Sequence, residues 1–194
     1  MDADTFRSAM TRVAGPVAVV TVRAPDGVPC GMTVSSLCSV SLRPPLVLFC
    51  VAATASCHPV LRTARRWCVS VLAAGQEDVA RRFAAKGEDR FAGPGLDIFG
   101  GLPAVRGSLV RLLCAYERIV PAGDHSMVLG RVLEAQLPSG EGSLRPSVGH
   151  FADAPLVYHA RGVPGPPPPP PPQAPSPPRR APPPPRSPPR APPG

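Results

Sequence analysis

Aromatic residues are scarce in this 194-residue sequence: one Trp, two Tyr and six Phe. No basic stripe is interleaved with them, so a stacking surface for nucleic acid is missing and nucleic-acid binding by the folded part is not expected. Long apolar runs are missing too. The longest, Leu46 to Ala53, falls far short of the roughly 20 residues of a membrane helix. The chain opens Met1-Asp2-Ala3-Asp4, acidic where a secretory signal is basic. Six cysteines occur, none as C-x-x-C, which leaves zinc and haem attachment without their usual spacing. Cys50, inside Val47-Leu48-Phe49-Cys50-Val51, reads as a small buried hydrophobe. A soluble, cytoplasmic protein with reduced cysteines is therefore the expectation. The G-x-G-x-x-G and P-loop fingerprints are absent, as is a G-x-S-x-G nucleophile elbow. The histidines (His58, His125, His150, His159) are scattered, so no metal site is expected.

Proline is what the chain has in excess. Of 31 prolines, 19 follow Gly162. Residues 163–194 hold no Leu, Ile, Phe, Met, Trp or Tyr and have nothing to bury, which predicts a disordered, polyproline II-prone tail. Residues 1–162 have ordinary composition and suit one domain. Charge divides at the same place. The formal +8 includes four tail arginines, leaving 17 basic and 13 acidic residues in the domain. That mild excess is not the footprint of a polyanion-binding surface.

Along residues 1–162 the pattern is mostly β. Phe6, Ala9, Met10 and Val13 recur at helical spacing over 4–13, with Asp2 or Asp4 placed to cap. Val17 to Arg23 and a strand from about Val28 flank the turn Pro25-Asp26-Gly27 as a hairpin. Leu46 to Ala53 reads as a buried strand after Pro44-Pro45. Ser56 is placed to cap a short helix from Pro59 to about Arg65. Trp67 to Ala73 is strand, and Gln76 to Ala85 returns to helical spacing. Lys86 to Gly101 reads as glycine-rich loop. Leu109–Val120 and Met127–Ala135 are two longer strands, and Pro155 to His159 makes a last short one. About seven strands follow one another without the long helices of βαβ units. That predicts a mainly β, antiparallel barrel or sandwich with short flanking helices.

Three constellations could carry chemistry. Between Thr33 and Ser41, five hydroxyl side chains fall within nine residues. They either hold a phosphate or a ribityl chain together with backbone N–H groups, or are satisfied locally. Gly123-Asp124-His125 is a hairpin connection with a surplus histidine, able to reach a pocket and donate near neutral pH. Tyr158-His159 ends the final strand, where only one of two adjacent side chains can face inward.

These segments, in this order, resemble the flavin reductase-like family of FMN-binding split barrels. The resemblance runs from Phe6-Arg7-x-Ala9-Met10 through Gly31-Met32-Thr33-x-Ser35-Ser36, Ser39-Val40-Ser41-Leu42-x-Pro44-Pro45, Arg82-Phe83-Ala84 and Asp89-Arg90-Phe91 to Gly123-Asp124-His125 and Pro155-Leu156-x-Tyr158-His159. It implies an antiparallel split β-barrel that forms a homodimer and holds FMN or FAD near the interface. It implies reduction of flavin by NADH or NADPH, with reduced flavin supplied to a partner flavin-dependent monooxygenase. On that reading Thr33, Val34, Ser35, Ser36, Ser39 and Ser41 bind the flavin's phosphate and ribityl chain. His125 orients the nicotinamide or tunes the flavin, and Phe91 and Tyr158 border the ring or the interface. Many relatives carry a Ser-x-Thr pair where this chain has Ala55 and Cys57, and Ser56 is the substitute hydroxyl. Two other roles stay open: flavin binding without turnover, and an interaction module acting through the tail.

Overall fold

The computed structural model describes residues 1–87, 89–137 and 157–158; the proline-rich tail of the sequence reading lies outside them. Helix α1 spans Ala3–Met10, shorter than its pattern predicts, and Asp2 caps it by accepting from the Thr5 N–H at 2.8 Å. Its apolar stripe finds no cover among the described residues: Phe6, Met10 and, just beyond the helix, Val13 are all exposed. Strand β1 (Gly15–Pro16) follows, then β2 (Ala18–Arg23) and β3 (Pro29–Val34), paired as the expected hairpin across Asp26-Gly27. β4 (Cys38–Leu42) and β5 (Pro45–Ala52) form a second hairpin, turning through a cis Arg43–Pro44 bond. Helix α2 (His58–Thr63) comes next. Its N-cap residue is Cys57 and no side chain caps it, so the capping role expected of Ser56 is not filled. β6 (Arg66–Val71) and α3 (Glu77–Ala84) lie close to their predicted ranges.

The segment read as loop holds a further hairpin, β7 (Leu96–Phe99) with β8 (Leu102–Val105). Gly100 and Gly101 turn it with φ of 56° and 82°, the double left-handed conformation that two-residue hairpins favour. β9 (Val110–Ala122) and β10 (His125–Gln136) then pair across Gly123-Asp124, and β11 (Val157–Tyr158) pairs with β1. The main sheet is wholly antiparallel, in the order β3-β2-β6-β9-β10-β5-β4. No helix among the described residues is long and apolar enough to cross a membrane.

Both faces of β2 are covered, which explains its unbroken apolar run. Ala18, Val20 and Val22 join Phe49, Leu61, Trp67 and Val128 in the largest cluster, while Val17 and Val19 pack with Leu72, Phe83 and Val105 on the other face. Alternation along the strand makes that division. The second face is pinned by buried polar groups: Thr21 donates to the Pro103 carbonyl, and Ser70 Oγ accepts from the Val105 N–H at 3.0 Å. Cys30 and Cys57 form a disulfide, with Cα atoms 5.8 Å apart. This corrects the expectation of six reduced cysteines. The two residues are 27 positions apart, and only the approach of β3 to the start of α2 brings them within bridging range.

Candidate functional site

A cleft of about 680 Å³ opens between β3 and the β5–α2 connection, two parts of the chain that are not neighbours in the sheet. Its size is ordinary for a small-molecule site. One wall is β3 and its continuation, Met32 to Ser36. The facing wall is the end of β5 with Thr54, Ser56 and Cys57. Phe83, Lys86 and Arg90, from α3 and the loop after it, close one side, and His125 stands on the rim.

Glycine at position 31 makes that geometry attainable. A Cβ there would lie 2.7 Å from Phe83 Cε1 and 3.1 Å from Phe91 Cζ. Without it, Phe83 and Phe91 pack edge to face, centroids 5.3 Å apart, directly over β3. Arg90 ties the same region together, donating from Nη1 to the Gly31 carbonyl at 2.6 Å and from Nε to the Ala85 carbonyl at 3.0 Å. Its guanidinium is thus a fixed positive charge in the wall. Lys86, the sole lysine of the chain, is exposed on the cleft with no ion pair among the described residues.

The predicted hydroxyls separate into two groups. Thr33 Oγ1 donates to the Ala80 carbonyl at 2.7 Å, and Ser36 Oγ accepts from the Cys50 N–H at 2.8 Å. Both line the cleft but spend their side-chain polarity on the fold. Ser35, Thr54 and Ser56 are exposed on the cleft and make no side-chain hydrogen bond among the described residues. Val34 lines it as a buried residue. Ser39 and Ser41 lie on β4, outside the lining, and Ser41 Oγ accepts from the Arg43 N–H in its own turn. Phe91 stands behind Phe83 rather than in the wall. Tyr158 pairs with Gly15 through β11. Thr54, Lys86 and Arg90 are the lining groups that sequence reasoning left unassigned. Thr54 and Ser56, two apart, flank the Ala55 position at which the resemblance expected a hydroxyl.

His125 begins β10, paired with Ala122 on one side and Ala52 on the other. Asp124 Oδ1 sits 2.7 Å from its Nδ1, leaving Nε2 for another partner. The histidine's hydrogen bond and charge hold the Asp124 carboxyl below its ordinary pKa. His125 also borders a second cavity of about 420 Å³, with Arg62 and Tyr116 on its wall. There His58 Nε2 meets Ser126 Oγ at 3.0 Å. The two remaining buried thiols are remote from this chemistry. Burial pushes Cys68 up to about 11 and Cys114 to about 12.

A cleft with free hydroxyls, an exposed lysine and a rim histidine suits an anionic, ribityl-bearing cofactor. The family model for a flavin reductase like domain matches residues 10–166. The chain belongs to the flavin reductase-like family. Its members include the NADH:riboflavin 5'-phosphate oxidoreductase of Streptomyces pristinaespiralis, 40% identical over 159 residues, covering 81% of this chain and 84% of the relative. Among solved structures, the NADH:FAD oxidoreductase SgcE6 of Streptomyces globisporus, in complex with NAD and FAD fragments, superposes with a TM-score of 0.71 at 34% identity, covering 81% of this chain and 88% of that one. BorF, the flavin reductase component of a bacterial two-component tryptophan halogenase, gives a TM-score of 0.69 at 36% identity over 81% of this chain and 94% of its own.

Proposed function

We propose that this chain is a nicotinamide-dependent flavin reductase that takes hydride from NADH, or from NADPH, and delivers it to FMN or FAD. The observation that carries the reading is the cleft, where unengaged hydroxyls, a lone lysine and a rim histidine converge. Those residues fit a flavin. Ser35, Thr54 and Ser56 offer donors for phosphate and ribityl oxygens. As the end strand of its sheet, β3 leaves alternate N–H groups without a ladder partner. Lys86 supplies the countercharge that a phosphate needs, with Arg90 as fixed background. Bound there, flavin supplies the hydride-accepting chemistry. The chain's part is alignment and exclusion of water. His125, held through Nδ1 by Asp124, presents Nε2 to a donor entering from the second cavity. Arg62 there suits the anionic remainder of the nicotinamide.

The same reading makes the sheet a split barrel and the protein a homodimer that serves a partner oxygenase or halogenase. The exposed face of α1 supports the dimer, since Phe6, Met10 and Val13 have no cover among the described residues. The test is turnover. Purified full-length protein is mixed with NADH or NADPH and with FMN, FAD or riboflavin, and oxidation of the nicotinamide is followed. Folded protein that oxidises neither donor with any flavin refutes the reading. Arg62→Ala is expected to raise the nicotinamide KM by about fivefold with little change in flavin binding, the size of one lost charge-assisted contact.

A further inference from the structure

The Cys30–Cys57 disulfide occupies a place that the reductase reading does not use. Cys57 lines the cleft and is almost fully buried, while Cys30 on β3 is half-buried. The bond joins the two walls of the cleft, which the sheet itself does not connect. Among the described residues, one other bond links these walls directly, from the Cys50 N–H to Ser36 Oγ. The connection carrying Thr54 and Ser56 is held elsewhere by short backbone bonds, Ala53 N–H to the Asp124 carbonyl, Ala55 N–H to the Ala52 carbonyl and His58 N–H to the Ala55 carbonyl, each near 3 Å, and by the packing of Ala55 against the core. The disulfide is thus a covalent strap between the hydroxyl-bearing wall and β3.

We propose that Cys30–Cys57 is a thiol-exchange site that sets the flavin affinity of the cleft. The proposal rests on the assignment of that cleft to flavin. The co-reactant is a small-molecule thiol, and its thiolate attacks Cys30 Sγ, the more open of the two sulfurs. The Cys30–Cys57 bond breaks, a mixed disulfide forms on Cys30, and Cys57 leaves as a thiolate that takes up a proton. A second thiolate attacks the mixed disulfide, releasing Cys30 and an oxidised disulfide of the small thiol. Two electrons enter the protein and two small thiols are oxidised. Opening the strap frees the wall that carries Thr54 and Ser56, so the reduced cleft binds flavin less well, having lost its preorganisation.

Full-length protein purified in air is alkylated after denaturation without reductant, and mapped by mass spectrometry. Cys30 and Cys57 are expected to be protected while the other four cysteines are labelled. Flavin affinity is then read by fluorescence of FMN and FAD, with oxidised protein and after dithiothreitol. Kd is expected to rise by about tenfold on reduction and to fall again on reoxidation. The Cys30→Ser/Cys57→Ser double variant is expected to bind like the reduced protein and to ignore dithiothreitol. If the variant does not fold, the wild-type redox titration decides alone. Full labelling of Cys30 and Cys57 in oxidised protein overturns the proposal. Equal flavin affinity in the two forms overturns it too and leaves the flavin reading standing. No flavin binding in either form overturns both.

Discussion

At the scale of single residues, His125 is defined by what holds it. Asp124 engages Nδ1 at 2.7 Å, so the ring's orientation and its free nitrogen are set before any ligand arrives. His125→Ala is expected to slow hydride transfer or raise the nicotinamide KM by about tenfold while flavin Kd stays nearly constant, since removing one positioning contact acts on the donor alone. Stopped-flow reduction alongside flavin titration separates the two effects. Collapse of flavin binding with normal reduction of the residual complex would reverse the assignment. The sign of the pH effect follows from the lowered Asp124 pKa. Its stabilising charge is present above the unfolded-state value and is lost as pH falls through the lowered folded one. The stability cost of Asp124→Asn, read as a urea midpoint, is therefore expected to shrink only as pH falls below about 4, where the carboxyl begins to take up a proton.

The thiols differ for an equally local reason. Burial raises Cys68 to about 11 and Cys114 to about 12. At about pH 8 only about one Cys68 in a thousand is thiolate, and fewer of Cys114. Timed iodoacetamide labelling of native protein is expected to modify exposed Cys38 first and leave Cys68 and Cys114 unmodified until the protein unfolds. Rapid labelling of either buried thiol in native protein would mean that the core opens around it.

Among the elements, the decisive contact is β3 against α3. Gly31 lets Phe83 reach the cleft with Phe91 behind it, and Arg90 fastens β3 to the end of the helix. Gly31→Ala places a methyl 2.7 Å from Phe83 Cε1, and such overpacking costs about 1–3 kcal/mol. The expected result is a lower midpoint in urea together with weaker flavin binding, because the displaced ring belongs to the cleft wall. Unchanged values for both would show that the aromatic pair yields without strain. The β7–β8 hairpin teaches a different point about legibility. Its signal, Gly100-Gly101 between Leu96–Phe99 and Leu102–Val105, is present in the sequence, but the surrounding glycines mask it as loop.

Across the whole molecule, two features reach beyond any one element. The strap between Cys30 and Cys57 closes a long loop, and in the chain-entropy picture it contributes about 3–4 kcal/mol by restricting the unfolded chain. Thermal melts with and without dithiothreitol are expected to differ by well over a few degrees, and coincident melts would show that the bond adds nothing to stability. The stripe on α1 is exposed among the described residues. Phe6→Glu is expected to shift the sedimentation profile toward monomer, while a profile unchanged by the substitution would remove α1 from the dimer interface.

Sequence alone determined the antiparallel, strand-rich character, the Gly123-Asp124-His125 corner and the family, and it narrowed the first helix cap to Asp2 or Asp4. Each of these rests on local periodicity or on motifs kept in order, which a chain displays before it folds. It also marked Thr33 to Ser36 and Ser56 as cleft residues. Only the tertiary structure decided which hydroxyls are free, because Thr33 and Ser36 are engaged by Ala80 and Cys50, distant in sequence. It alone brought Thr54, Lys86 and Arg90 to the same cleft, left Ser39, Ser41 and Phe91 outside the lining, and joined Cys30 to Cys57. Those outcomes depend on which strands become neighbours and which sheet ends meet. Long-range packing settles such matters, and no local pattern encodes them.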